Sequence, residues 1–491
     1  VSTLPGVERL LVAWLPSQRW FAGKDLPVDG VEVLAETVLP QEHTAALVHL
    51  VVGVHQGERR SAYQVPLVAR HAAEDRLGHV WLGTDDLGRH VYDALHDRDV
   101  TGWFGAAVAD ETRLESLRAH RAAGAARLPT AASLVLPVEQ SNTSLAFGDQ
   151  ALLKVFRRLA PGENPDIEVH AALARVDCAY VAPLLGWLDG AWRDPDGEDT
   201  LHGSLAMLQT FLTTATDGWR LARGSVQDLF AEADLHAEEV GGDFSAESER
   251  LGAATAHVHA DLARTLPTAV LSGPELESLA EGMLSRLAAA AAEVADLEPL
   301  ADTLAAELAE VATVGDAVSV QRVHGDYHLG QVMRDVLGWR LLDFEGEPET
   351  PLPERRRLDS PLRDVAGMLR SFDYCAGHVL AEDHPGDAQL AFRAREWVTR
   401  NQEAFCVGYA SVAGHDPREQ GVLLAAYEID KAVYEAIYEQ RNRPAWLGIP
   451  MAALHRLAQH VPDPPPAGTP TDTPTDTASE PTAPPSTGSP T

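Results

Sequence analysis

The sequence predicts an α+β protein of unlike lobes: two sheet-forming regions in succession, then a long helical body. Three observations carry that prediction. Residues 31–70 alternate apolar and polar side chains in "VEVLAETVLP", "ALVHLVVGV" and "SAYQVPLVAR", the period of antiparallel strands. Residues 134–160 repeat the pattern in shorter runs broken by polar turns. From about residue 211 to 460 the apolar spacing is helical, interrupted once, at "RVHGDYHLGQVMRDVLGWRLLDFEGEP". At 491 residues the chain exceeds one ordinary core. The expected parts are an N-terminal unit over 1–90, a small lobe over 91–210, a helical lobe over 211–461 and a tail over 462–491.

The elements follow in order. An N-terminal helix that buries Trp14, Trp20 and Phe21 opens the chain, ahead of the strands of 31–70. An Ala-rich helix is expected at about 108–127. "SLVLPVEQSNTSLAFGDQALLKVFRRL" then reads as strand, polar turn, strand, Gly148-Asp149 turn, strand. "NPDIEVHAALARV" reads as a helix capped by Asn164, with Pro165 at its first position, where no N–H is needed. "LAMLQTFL" is a further apolar strand, and the quoted interruption is two short strands around a loop. The tail from about Pro462 holds no aromatic residue and little to bury, so disorder is expected there.

Composition removes several function classes. A formal charge of −34 argues against nucleic acid and anionic membrane as partners, because both reward basic surfaces. No apolar run is long enough to predict a spanning helix, and the first residues lack the pattern of a secretory signal. Cys178, Cys375 and Cys406 are scattered, with neither a disulfide framework nor a metal spacing, so the expected compartment is the cytoplasm. Of 39 lysines and arginines only three are lysines, Lys24, Lys154 and Lys431. Coding bias accounts for the general replacement. The survivors are candidates for sites that need a compact ammonium rather than a guanidinium fork.

The interruption carries the chemistry. Buried carboxylates are costly unless paired, hydrogen-bonded or metal-bound, yet Asp326, Asp343 and Glu345 stand among apolar strand residues. From Asp326 to Gln331 is the Asp-to-amide interval of the protein-kinase loop H-R-D-x-x-x-x-N, and Asp343-Phe344-Glu345 stands where that template has D-F-G. In those roles Asp326 accepts the proton of an attacking hydroxyl, Gln331 offers its amide oxygen to Mg²⁺, and Asp343 bridges the metal to the phosphates of ATP. Glu345 adds a second carboxylate to a metal where a protein kinase has glycine. The bland alternative is a hairpin whose acids cap turns; the register of five polar groups with one template argues against it.

The template makes demands upstream: a strand lysine for the phosphates and a helical glutamate to hold it. Lys154 in "ALLKVF" and Glu168 in the Pro-initiated helix fill those places. No G-x-G-x-x-G is present, and the turn "EQSNTS" takes the place of a phosphate loop, its backbone N–H groups and the hydroxyls of Ser141, Thr143 and Ser144 forming the cradle. An ordinary polar turn competes with that reading. Chain order puts adenine against the backbone of Gln209–Phe211. "FAGKD" fails as a Walker A loop, with Gln18 where glycine is needed and Asp25 where Ser or Thr is needed.

Further on, "AYEIDKAVYEAIYEQRNRPAWLGIP" reads as a helix with Glu428, Lys431 and Glu435 on one stripe, ended by Pro444 and followed by Trp446. Acids accept hydrogen bonds from sugar hydroxyls, and an indole packs on the apolar side of a pyranose. On the residues alone a salt-bridged surface helix is the stronger reading. Resemblance shifts the balance. "QRWFAGK" at 18–24, "QSNTS" at 140–144, "HGDYHLGQV", "LLDFEGEP", "ERRRLDSPLRDVAGMLRSFDY" and "DKAVYEAIYEQRNRPAWL" together resemble the actinobacterial maltokinase family over about residues 5–460.

That resemblance implies a bilobal protein-kinase-like fold of the aminoglycoside-phosphotransferase type, with an N-terminal sheet-containing cap and a helical C-terminal lobe. It implies phosphorylation of maltose at its anomeric hydroxyl with ATP and Mg²⁺, feeding α-glucan synthesis. On the matching motifs it makes Asp326 the catalytic base and Gln331 and Asp343 magnesium ligands. His328, Glu428, Lys431 and Trp446 become sugar-pocket residues, and Arg363 and Asp364 supports of the catalytic loop. Glucosamine kinases are similar over much of the same length. Ala432, one turn after Glu428, gives a sugar amine nothing to pair with, which favours a neutral sugar. A different class is a non-catalytic nucleotide-binding subunit of a trehalose- or glucan-handling enzyme, with a trehalose synthase as candidate partner. The joint presence of Lys154, Glu168, Asp326, Gln331 and Asp343 counts against it. The role of "QRWFAGK" and of Lys24 is left open.

Overall fold

The computed structural model describes residues 2–40, 45–125, 132–136, 142–232, 235–240, 243–315, 317–347 and 350–459. Ser141 and the expected tail lie outside them. The alternating region forms strands β1 (Gly30–Leu39), β2 (Ala46–Gln56) and β3 (Arg59–Arg70), extended by β4 (Trp81–Thr84) and β5 (His90–Asp93) in the order β1-β2-β3-β5-β4. Both faces of this sheet are covered. On one, the helix Val7–Trp14 and the following Trp20 and Phe21 pack on Val48, Leu50, Val52 and Tyr63. On the other, Leu47, Val51 and Val68 join a second core with the next sheet. Every residue from 47 to 54 is therefore buried.

The second sheet holds β6 (Leu117–Arg121), β7 (Leu134–Val135), β8 (Thr143–Phe147), β9 (Ala151–Val155), β11 (Leu184–Arg193) and β12 (Thr200–Thr210) in the order β6-β11-β12-β9-β8-β7. The short β10 (Arg158–Leu159) leaves it to pair with β3, Arg158 opposite Tyr63. The helix expected at 108–127 is not there. Its helical part is Gly102–Ala109, and Leu117–Arg121 is an edge strand paired with β11. Buried Leu117 and Ala119 alternate with exposed Arg118, so the two-residue period outweighs the alanine content of the run.

The Pro-initiated helix forms as Pro165–Ala174, with the Asn164 side chain accepting from the Asp166 amide. Beyond it the body is helical. Ser245–Thr265 and Ala388–Ala413 pack backbone to backbone, because glycines meet the opposing chain on each side. A Cβ on Gly252 would stand 2.0 Å from the Phe405 carbonyl oxygen, and one on Gly408 would stand 1.8 Å from that of Glu249. The helices Leu362–Asp383 and Gly421–Asn442 join them in the same core. The quoted interruption forms strands Val332–Arg334 and Trp339–Leu341, joined by Thr216–Asp217 in a small sheet set against the helices.

Candidate active site

Lys154 is central to β9, opposite Ser144 of β8 and Met207 of β12. Two-residue alternation puts Ser144, Ala146, Leu152 and Gln209 on the same face of the sheet. The lysine reaches across to the loop after Trp339–Leu341: its Nζ lies 2.6 Å from Asp343 Oδ1, 2.6 Å from Glu345 Oε1 and 3.5 Å from Asp166 Oδ2. The expected partner Glu168 is not among them. It pairs instead with Arg322 at 2.7 Å and Arg356 at 2.8 Å. Residues two apart on a helix point nearly opposite ways, so only one of Asp166 and Glu168 can meet the lysine. Buried Asp166 does so, and it also holds His170 one turn on, at 3.0 Å.

Asp343 has a left-handed backbone, φ 64°, which a non-glycine residue adopts at a cost of about 1 kcal/mol or more. Its neighbours fix it there. The Phe344 amide donates to Asp166 Oδ1 at 3.0 Å, and the buried Phe344 ring lies 4.8 Å from that of His324. Gln331 Nε2 donates to Asp343 Oδ2 at 3.2 Å, and Asn142, from the turn before β8, donates to Glu345 Oε1 at 3.3 Å. Burial pushes the Glu345 carboxyl up; Lys154 opposes this, and the charges of Asp343 and Asp166 add to it. Burial would also raise Asp166, but His170 and Lys154 hold it well below the usual carboxylate range. Oxygens of Asp166, Asp343 and Glu345 all lie within 4.8 Å of one another. Three hard oxygen donors around one lysine fit a divalent cation of the magnesium class.

Asp326 sits on the loop before Val332–Arg334, and Asp364 holds that loop. The buried Asp364 carboxylate accepts from the amides of His324 at 2.7 Å and Gly325 at 2.9 Å. His259 braces it from behind, with Nε2 3.0 Å from Asp364 and Nδ1 2.9 Å from the Tyr409 hydroxyl. Arg363, the other expected support, instead pairs with Asp359 at 3.0 Å and Glu347 at 3.8 Å. Lys431 comes from the helix Gly421–Asn442, its Nζ 3.0 Å from Asp326 Oδ1 and 3.2 Å from Glu347 Oε1. Burial would raise the Asp326 carboxyl, but the ammonium of Lys431, followed by His328, holds it well below its ordinary value. His328 Nδ1 accepts from the Gly330 amide, leaving Nε2 facing Asp326 Oδ2 at 4.0 Å.

The remaining expected residues are placed unequally. Ser144 shares the Lys154 face, but Thr143 is one residue out of phase and turns to the far side. There its hydroxyl accepts from Arg157 Nε at 2.8 Å, so it does not face the phosphate side. The Phe211 amide donates to the Gln150 carbonyl at 3.1 Å, so that one donor of the segment is already engaged. Glu428 is set among Arg370, Asp373 and Arg456, and burial pushes its carboxyl up to about 7. Trp446 has Arg443 over its ring at 4.3 Å and His378 against it at 4.6 Å, so one indole face is already covered. Ala432 is fully buried in the helical core and does not face a ligand. Sequence reasoning missed Asp166, Asn142 and Glu347. The Asp166–His170 spacing, one helical turn, was the available signal for the first.

A strand lysine bound to the carboxylate after a short hairpin, and a loop aspartate whose loop is held by a buried acid, fit the aminoglycoside-phosphotransferase type of fold. Comparison with known families specifies it further. Residues 14–97 match the maltokinase N-terminal cap domain and residues 233–415 match the phosphotransferase enzyme family, two matches that support a sugar phosphotransferase. It is 29% identical over 425 residues to a glucosamine kinase of Streptacidiphilus jiangxiensis, covering 82% of this chain and 87% of that one. A glucosamine kinase of Mycolicibacterium smegmatis is 28% identical over 342 residues, covering 66% of this chain and 78% of its own. A solved glucosamine kinase structure superposes over 93% of this chain and 100% of its own, with a TM-score of 0.68 and 24% identity. That likeness is one of fold.

Proposed function

We propose that this protein transfers the γ-phosphoryl group of ATP to the anomeric hydroxyl of maltose, giving maltose 1-phosphate and ADP for α-glucan synthesis. The observation that carries the reading is Lys431, on the helix of the maltokinase-like motif, bonded to Asp326 at 3.0 Å. It sets the motif helix beside the base that would receive the acceptor. The maltokinase cap match supports the same family.

The acceptor oxygen attacks the γ-phosphorus as the bond to ADP breaks, and its proton passes to Asp326. A carboxylate held so far down is a weak base, so Asp326 orients the hydroxyl first and takes the proton late, as the oxygen–phosphorus bond forms. Lys154 neutralises phosphate charge from the sheet side. Asp343, Glu345, Asp166 and Gln331 would hold Mg²⁺, which when bound shields the charge shared between the phosphates.

Phosphorylation of glucosamine is a second reading, favoured by the names of the similar proteins. Incubation with ATP, Mg²⁺ and, separately, maltose, glucose, glucosamine and trehalose, followed by ³¹P NMR, decides. An anomeric phosphate from maltose alone is expected. A 6-phosphate from glucosamine would replace the acceptor and keep the catalytic assignments.

A further inference from the structure

Behind the brace of the catalytic loop lies a cleft of about 680 Å³, whose lining meets the site described above only at His259 and Tyr409. Its walls come from the helix Ser245–Thr265, the strand Val318–Val320 and the starts of the helices Leu362–Asp383 and Gly421–Asn442. Pockets that hold small molecules run to about 300–1,000 Å³.

The lining sets the chemistry of an occupant. Among the described residues of the cleft there is no lysine or arginine, and the one acid, Glu419, is exposed. A phosphorylated or carboxylated ligand would meet no counter-charge, and a solvent-screened carboxylate is a weak anchor for an amine. Polar groups nonetheless face in. On the inner wall Gln321 is 8% exposed; its Nε2 donates to the His259 carbonyl at 2.8 Å, and its Oε1 has no partner among the described residues. Ser319 and Gln420 line the cleft from exposed positions, and small side chains at Ala256, Ala260, Ala317 and Ala413 complete it. Sugar hydroxyls donate and accept alike, which this uncharged mixture of acceptors and donors calls for.

We propose that this cleft is a second sugar site, taking a neutral, unphosphorylated disaccharide, and that its occupant steadies the catalytic loop. The connection is short. His259 and the segment Ser360–Leu362 both line the cleft, and both lead to Asp364: His259 Nε2 lies 3.0 Å from its carboxylate, and Leu362 is two residues before it on the same helix. Asp364 in turn holds the amides of His324 and Gly325. A ligand packed on both supports opposes the local opening that frees those amides. Occupancy of this cleft does not depend on which sugar is phosphorylated.

The probe is trehalose, a neutral disaccharide with no free anomeric hydroxyl to phosphorylate, and glucose 6-phosphate is the charged control. Isothermal titration is run on the full chain and on Ala260→Trp and Ala317→Trp, which fill the cleft from its helix side and its strand side at exposed positions, each checked by Tm. Trehalose is expected to bind the wild type with a roughly millimolar Kd, weakened at least about tenfold in both variants, with glucose 6-phosphate weaker still. Hydrogen exchange of the stretch holding His324 and Gly325 is expected to slow at least about twofold with trehalose. No heat up to about 50 mM trehalose, or equal binding in wild type and both variants, overturns the site. Tighter binding of glucose 6-phosphate overturns its neutral-sugar chemistry. Binding that the variants abolish, with exchange unchanged, overturns its hold on the loop.

Discussion

Replacing Lys431 by methionine tests how the candidate base is held. The ammonium lies 3.0 Å from Asp326 and 3.2 Å from Glu347 and is 17% exposed. At an effective dielectric constant of about 20, each contact is worth roughly 5 kcal/mol of gross attraction. Desolvation of all three groups offsets most of that. Removing one partner of a buried pair nonetheless costs about 3–5 kcal/mol, because it strands the others. We expect Lys431→Met to lose about 3 kcal/mol of stability at pH 7.5. The sign of the pH dependence separates this from a simple packing defect. In the wild type the Asp326 carboxyl is depressed, so its contribution is present above the ordinary aspartate value and lost as pH falls through that range. Without the ammonium, burial dominates and the carboxyl rises, so the folded variant binds the proton more readily than the unfolded chain. The Tm deficit is therefore largest near pH 8 and shrinks towards pH 5. The acid limb of kcat against pH also moves up by at least about one unit, the equivalent of about 1.4 kcal/mol. Differential scanning calorimetry and initial rates across that range supply both curves. A Tm gap independent of pH and an unmoved acid limb would refute the assignment of Lys431 as the group that holds Asp326 charged.

Three further outcomes follow from the site. Asp326→Asn should lower kcat by about 10²–10⁴-fold with calorimetric ATP affinity nearly unchanged; turnover within about threefold, under about 0.7 kcal/mol of barrier, rules Asp326 out as base. Asp166→Asn should raise the KM for ATP by about tenfold, whereas Glu168→Gln should keep it within about twofold and lower Tm through Arg322 and Arg356, and the reverse ranking would restore Glu168 as the lysine's partner. His259→Leu, which leaves the Asp364 carboxylate without one of its donors, should cut kcat more than either KM, measured on enzyme of unchanged far-UV circular dichroism; an equal rise in both KM values with kcat intact would show that the loop does not depend on it.

The sequence displayed chemistry better than direction. The interval from Asp326 to Gln331 and the Asp343-Phe344-Glu345 run were readable because a loop between two short strands fixes such residues locally, and the structure brings Gln331, Asp343 and Glu345 together as that spacing requires. What failed were choices between faces. Asp166 and Glu168 satisfy the same template equally well on paper, and the selection is made by Arg322 and Arg356, which lie far along the chain and draw Glu168 away. Thr143 and Ser144 are both hydroxyl residues in a polar turn, but a strand offers its successive side chains to opposite sides. The cap side, with Arg157 waiting there, takes the first. Ala432 misled for the same reason: its helix turns that position into the core. Composition supplied more than its share, because an arginine-rich chain with three lysines marks where an ammonium is needed. Lys154 and Lys431 each lie against two carboxylates within 3.2 Å, a compact arrangement in which the longer planar guanidinium would displace one partner. Lys24, whose ammonium meets the Arg19 carbonyl at 3.2 Å, has no such pair of carboxylates among the described residues.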